Sequence, residues 1–197
     1  MIYPLTMPEV FTKEQCENII SFHIDWIENK GYIADNQANR KIDTSYRRCI
    51  VYEPPSYEHV PSWVMGKILN IILPVNNEIF HFDLGKGNRF QFNLIRYDPG
   101  GQYNAHIDLG EDTITSLRKI SFTVLLNDSY EGGKLLFGSE PPKDRYSYSQ
   151  VAENYPDYPE KGGMIIFPSY LTHRVEPVTA GVRWALVGWI VGDNPFR

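Results

Sequence analysis

The chain changes its hydrophobic period partway along, and that change limits the folds open to it. The segments "NRFQFNLIRYD", "KISFTVLLND", "KLLFG", "GMIIFPS", "HRVEPV" and "GVRWALVGWIVG" are short and rich in β-branched and aromatic residues. Turn residues separate them. Two stretches of helical spacing precede them. "FTKEQCENIISFHIDWIENKG" carries Ile19, Ile20, Phe22 and Trp26 as a broad apolar stripe; Thr12 and Gln15 form a capping box, and Gly31 is the expected stop. "VPSWVMGKILNIILPVNNEIFHF" opens near Pro61 and Ser62 and is expected to bend or break at Pro74. Helices first and many short strands later predict a mainly β fold, a sheet sandwich or barrel with helices packed outside it. A length of 197 residues suits a single domain, with helical support to about residue 85 and the strand core from about 86 to 194.

Composition matters here for what it excludes. A net charge of −5 with no basic stripe argues against nucleic acid as a partner, and the one basic pair, Arg47 and Arg48, reads as a solvated strand edge. No apolar run approaches the ~20 residues that cross a bilayer, so no membrane partner is expected. The start, "MIYPLTMPEVF", has no basic region followed by a long apolar core. Cys16 and Cys49 are too few for a disulfide framework or a cysteine metal cluster. As buried free thiols they suit a reducing compartment, and a cytoplasmic protein is expected.

Chemistry concentrates in "YDPGGQYNAHID". On a strand, His106 and Asp108 project to one face while Ile107 turns away, about 7 Å apart along the backbone at ~3.3 Å per residue. An imidazole and a carboxylate at that separation can reach one ion, and a third ligand is needed. His23 lies on the first helix, and His59 follows the loop signal "PPSYE". His173 stands where one apolar strand ends and the next begins, with Arg183 ten residues on in an otherwise apolar strand. If "HRVEPV" and "VRWALVGWI" form a hairpin around Thr179 to Gly181, Arg183 lies about 10 to 13 Å along from the metal. A five-carbon dicarboxylate spans such a gap, with the planar guanidinium fork at its far end. A lone His or Arg is more often structural, so the weight rests on the ordered combination. A second His-x-Asp, His81 and Asp83, sits between a helix end and a Gly-rich turn, a poor platform for a rigid site.

The pattern Tyr97-x-x-Gly100-x-x-Tyr103-x-x-His106-x-Asp108, followed by "LLNDSYEGGKLLF", His173 and Arg183, resembles the prolyl 4-hydroxylase-like branch of the iron(II)/2-oxoglutarate dioxygenases. The similarity covers roughly residues 89 to 192 and is nearer to compact microbial and phage-type members than to secreted collagen enzymes. It implies a double-stranded β-helix, the cupin-like jelly roll, with N-terminal helices on its major sheet. It implies His106, Asp108 and His173 as iron ligands and catalytic residues. Arg183 would hold the distal carboxylate of 2-oxoglutarate, with Tyr97 and Trp189 in the same pocket. The cofactors implied are Fe(II), 2-oxoglutarate and O₂, with L-ascorbate as an accessory reductant.

The implied reaction hydroxylates an unactivated C–H bond and releases succinate and CO₂. Peptidyl proline in a peptide or protein substrate is the expected target. The chain departs from the pattern at Val187 and Leu125, where some relatives carry a hydroxyl residue and a tyrosine; Thr123 or Ser121 could supply the missing hydroxyl. Other readings are a hydroxylase of another residue or of a small molecule, a non-catalytic cupin-like module, and a zinc site with the same ligands. Zinc hydrolysis finds no use for Arg183 and no evident glutamate base. The Pro- and Tyr-rich segment from 138 to 161 is expected to act as a lid or substrate loop. The sequence leaves the oligomeric state open.

Overall fold

A computed structural model describes residues 4–31, 33–34, 40–86, 89–138, 151–152 and 159–196. Most of the segment expected to form a lid lies outside the described residues.

In chain order the elements are β1 (Leu5–Met7), α1 (Lys13–Ser21), β2 (Ile27–Lys30), β3 (Ile33–Ala34), β4 (Arg40–Lys41), β5 (Arg47–Arg48) and β6 (Ile50–Glu53). Then come α2 (Ser62–Val75), β7 (Arg89–Tyr97), β8 (Gln102–His106), β9 (Arg118–Leu125), β10 (Tyr130–Gly132) and β11 (Leu135–Gly138). The last are β12 (Val151–Ala152), β13 (Met164–Pro168), β14 (His173–Val175), β15 (Val178–Gly181) and β16 (Arg183–Val191). A seven-stranded sheet, β1-β13-β9-β16-β7-β6-β2, faces a five-stranded one, β12-β11-β14-β8-β5. Two short ladders, β10-β15 and β3-β4, lie apart from both. This is the sheet sandwich anticipated from the switch in period, in the double-stranded β-helix form that the family resemblance implies. The first 85 residues nevertheless contribute strands to both sheets as well as helical support.

Strand alternation divides the core in two. One face of the major sheet, through Phe92, Leu94, Phe122, Val124, Met164 and Leu186, packs on Cys16 and Ile19 of α1 and on Val64, Ile68 and Ile72 of α2. The opposite face, through Val51, Ile95, Tyr97, Ile165 and Phe167, meets Leu135, Phe137 and Val175 of the minor sheet. Polar residues of the major sheet that point inward therefore lie between two sheets, away from the helices.

The helices correct the sequence reading at their ends. Thr12 caps α1 through the expected capping box with Gln15, but the helix ends at Ser21, followed by a 3-10 turn over Phe22–Ile24. Ile27 to Lys30 pair instead with Glu53 to Ile50, and Gly31 donates its N–H to the Cys49 carbonyl, so Gly31 belongs to a sheet edge and stops no helix. Long-range strand pairing has overridden local helical spacing. Pro74 does not break α2, which continues to Val75 and passes into a π turn over Asn76–Phe80. His81, at φ 54°, ends that turn in the left-handed region.

Gly188 lies at the centre of β16, between β7 and β9, where an added Cβ would strike the Phe122 ring and the Gln91 carbonyl. Gly188→Ala is expected to cost about 1–3 kcal/mol, as overpacked cores do, read as a lower urea midpoint at unchanged slope.

Candidate active site

His106 and His173 stand directly opposite each other on the antiparallel pair β8 and β14. Two residues on, Val175 pairs with Tyr103, three residues from His106, so β8 carries one extra residue, a bulge. The bulge resets the alternation and lets Tyr103 share a side with His106; the rings stack at 3.5 Å between centroids and 17° between planes. Asp108 follows the end of β8. Its N–H and that of Leu109 both donate to the Ser169 carbonyl at 3.0 Å, which pins the chain as it leaves the strand.

The three candidate ligands converge. One ligand atom from each of His106, Asp108 and His173 lies within 4.8 Å of the others. The Asp108 carboxylate oxygens are 3.7 Å from His106 Nε2 and 3.6 Å from His173 Nε2. Each imidazole points Nδ1 at a backbone carbonyl two residues earlier, His106 at Asn104 (2.7 Å) and His173 at Leu171 (2.9 Å). A carbonyl only accepts, so in the neutral ring Nδ1 carries the proton and Nε2 presents its lone pair to the gap. Burial, then the neighbouring His173, pushes the His106 pKa well below the ordinary imidazole value. Burial would raise the Asp108 pKa, but His173, His106, Arg118 and a hydrogen bond from Ser121 outweigh it and hold the carboxyl at about 2. The Ser121 hydroxyl is in turn hydrogen-bonded to Ser169 at 2.9 Å. Two neutral imidazoles and one carboxylate with further positions open form the donor set suited to iron(II) in oxygenases, so the residues fit that ion.

Arg183 is 1% exposed, with Nε and Nη2 fully buried. It opposes Tyr97 in the β16-β7 ladder, and its guanidinium carbon lies 5.3 Å from the Tyr97 ring and 6.0 Å from that of Tyr130. Burial first, then Cys49, raises the Tyr97 pKa, so the phenol stays neutral and able to donate. Trp189 shares the inward face with Arg183 but sits six residues along β16, about 20 Å at the rise of a strand. Its ring is covered instead by Arg118, with the guanidinium carbon 3.7 Å from the ring centre. Arg118 also donates to the Asp108 carbonyl (3.2 Å) and to Gln91 Oε1 (2.8 Å), which places Trp189 at the Asp108 end of the interior.

The expected hairpin between His173 and Arg183 does not form. β14 pairs with β11 and β8 in the minor sheet, whereas β16 lies between β7 and β9 in the major one. Between them Pro177 and Gly181, at φ 70°, redirect the chain through β15, which pairs with β10. His173 and Arg183 therefore belong to opposite layers.

The rival pair is a turn: His81 is exposed, and Asp83 Oδ1 accepts from the Gly85 N–H at 2.9 Å. His59 is exposed and contacts Ser56 through Nδ1. His23 contacts the Ile20 carbonyl between the rings of Tyr52 and Trp184. Of the basic pair, only Arg48 is the solvated edge residue expected. Arg47 turns inward, with its guanidinium carbon 4.4 Å from the centre of the Tyr103 ring that stacks on His106. Alternation carried the missing signal, since neighbours on a strand cannot both face water. A cavity of about 230 Å³ lies beside Arg47, lined also by Lys30, Arg48, Cys49 and Asp98, and none of the candidate ligands borders it.

A double-stranded β-helix with two histidines and an aspartate at one end of its minor sheet defines an oxygenase-type scaffold. Residues 92–191 match the 2OG-Fe(II) oxygenase superfamily, and the chain belongs to it. A PKHD-type hydroxylase of Rippkaea orientalis is 37% identical over 99 residues, covering 48% of this chain and 40% of that protein. One from Parvibaculum lavamentivorans is 33% identical over 120 residues, covering 59% and 48%. The matched segment thus spans less than half the length of these curated relatives. Among solved structures, a Pseudomonas putida prolyl-4-hydroxylase superimposes with a TM-score of 0.63 at 17% identity, covering 97% of this chain and 93% of that one. A Trichoplax adhaerens prolyl hydroxylase, solved with a hypoxia inducible factor peptide fragment, gives 0.68 at 15% identity, covering 96% and 84%. At these identities the likeness is one of fold.

His106→Ala, Asp108→Ala and His173→Ala are each expected to abolish Mn(II) or Fe(II) binding in calorimetry, while His81→Ala leaves it intact. Ser121→Ala, which removes a support of the Asp108 carboxylate, is expected to weaken metal affinity about 10- to 100-fold.

Proposed function

We propose that this chain is an Fe(II)- and 2-oxoglutarate-dependent dioxygenase that hydroxylates a C–H bond of a peptide or protein substrate, with peptidyl proline as the target. The observation that carries this reading is the pairing of a two-histidine, one-carboxylate cluster with a buried arginine inside the same sandwich. When bound, iron and 2-oxoglutarate supply oxidative decarboxylation to succinate and CO₂ coupled to hydroxylation.

His106, Asp108 and His173 hold the metal through atoms already oriented toward one point. Arg183 receives the distal carboxylate of the co-substrate, and a buried guanidinium favours such an anion strongly because little water competes for it. Tyr97 borders the same end. Trp189, under Arg118, lines the interior beside Asp108. The sheets keep bulk water from the metal and fix the ligands before it arrives. Proline as target is supported by the fold shared with prolyl hydroxylases and by the PKHD-type hydroxylases among the relatives.

Purified protein with Fe(II) is expected to release succinate only when 2-oxoglutarate is present, and to add 16 Da to proline-rich peptides by mass spectrometry. Arg183→Ala is expected to weaken 2-oxoglutarate binding by about 2–5 kcal/mol, as removal of one partner of a buried charged pair does, with metal affinity nearly unchanged. Metal binding without any 2-oxoglutarate turnover would move the assignment to a zinc-binding or non-catalytic module. Succinate release coupled to a +16 Da product other than hydroxyproline would retain the reaction and replace the substrate.

A further inference from the structure

Of the three candidate ligands, Asp108 alone lies beyond a strand, since β8 ends at His106 and His173 opens β14. Its position is therefore set from outside, by Ser169. The Ser169 carbonyl accepts from the N–H groups of Asp108 and Leu109, and its hydroxyl is hydrogen-bonded to Ser121. Ser169 opens the turn that carries the chain from β13 in the major sheet to β14 in the minor one. Its own N–H donates to the Lys119 carbonyl at 3.0 Å, and the Leu171 N–H closes the turn on the Pro168 carbonyl at 2.9 Å. Tyr170 stands between them at the tip.

Although Tyr170 is 39% exposed, its ring is clasped from two sides. It meets Phe82 edge-on at 6.2 Å between centroids and Phe196 at 5.4 Å, and those two rings meet each other at 5.0 Å. Each partner has its own anchor. The buried Asn76 side chain donates to the Phe82 carbonyl and accepts from the Phe82 N–H, both at 3.0 Å. Arg89 donates to the Gly192 carbonyl and pairs with Asp193, which ties down the segment that carries Phe196. Lys119 Nζ lies 4.0 Å from the centre of the Phe196 ring. The stretch "FHFDLG", whose His81 and Asp83 hold no metal cluster, thus delivers Phe82 to this contact. Edge-to-face ring pairs have a preferred geometry, so three of them together restrain the tip of the turn.

We propose that Tyr170 is a positioning residue for the metal site: clasped by Phe82 and Phe196, its ring fixes the Ser169 carbonyl and hydroxyl on which Asp108 depends. The inference rests on the metal-binding part of the proposed function and is independent of the substrate. It makes the segments after α2 and after β16, neither of which supplies a ligand, part of what sets metal affinity.

The test is Mn(II) calorimetry beside amide hydrogen exchange on the metal-free protein. Tyr170→Ala is expected to raise the Kd for Mn(II) about tenfold, the scale on which outer supports act on a metal site. It is also expected to speed exchange of the Asp108 and Leu109 amides, whose acceptor is the Ser169 carbonyl. Tyr170→Phe keeps the ring and is expected to match wild type in both readouts. Phe196→Ala loosens the same ring from the other side and is expected to shift both in the same direction, so the test stands even if Tyr170→Ala folds poorly. If both alanine variants lower Tm but leave Mn(II) affinity or Asp108 exchange unchanged, the cluster is purely structural and the inference is overturned. A loss in Tyr170→Phe equal to that in Tyr170→Ala overturns it too, because the ring is then not what acts. Wild-type protein that binds no Mn(II) sinks the metal site and the proposed function, whatever the variants do.

Discussion

The antiparallel pairing of β8 with β14 is the contact on which the site depends. It sets His106 against His173, and everything else about the metal cluster is arranged around that pair. Opposed residues on neighbouring strands are held at a separation that no single strand can offer two imidazoles. Each ring is then turned by a carbonyl of its own strand, so orientation does not depend on distant packing. Asp108 needs the chain to leave the strand, and the double hydrogen bond to the Ser169 carbonyl fixes that departure. Ser169 is also hydrogen-bonded to Ser121, which lies against the Asp108 carboxylate, so one short loop after β13 braces both the backbone and the side chain of the ligand.

The second sheet supplies the opposite sign of charge. Burying a guanidinium is costly unless something compensates it, yet Arg183 is among the most deeply buried side chains present. Its neighbours Tyr97 and Tyr130 offer ring faces. Arg118 similarly covers Trp189, and Arg47 covers Tyr103. Three arginines thus meet four aromatic rings around the space between the sheets. Their charges favour anions there, and Arg118 helps keep Asp108 ionised. The paired histidines and the Arg183 guanidinium stand on facing layers, so each sheet holds its own group.

How much of this was legible beforehand depended on how local each determinant is. The capping box at Thr12, the strand-rich second half and the convergence of His106, Asp108 and His173 were readable because short-range spacing and ordered motifs encode them. Pairing partners were not. The helix expected to reach Gly31 stops at Ser21 because Ile27 to Lys30 find a strand partner in β6, twenty and more residues away. His173 and Arg183 are ten residues apart yet do not pair, because Pro177 and Gly181, the latter at φ 70°, turn the chain between the two sheets. Tyr103 was visible in the motif, but its stacking on His106 depends on a bulge that period-two reasoning cannot anticipate. The inward turn of Arg47 is not encoded locally, because its pairing partner, Tyr103, lies on a strand more than fifty residues away.

Glycine lets neighbouring segments close tightly on the strand that bears Arg183. Gly188 lets Phe122 and the β7 backbone close on the centre of β16, and Gly133 lets the β10 segment close on its beginning. The first contact belongs to the helix-facing core and the second to the interior between the sheets, so one strand is gripped on both faces by residues with no side chain of their own. Packing at that density transmits small displacements, because interiors have no slack to absorb an added methyl group. A change near Gly133 therefore acts on Arg183 through Cδ before it acts on the fold at large. That links the short outlying ladder to the charge at the heart of the sandwich, although the two share no strand pairing.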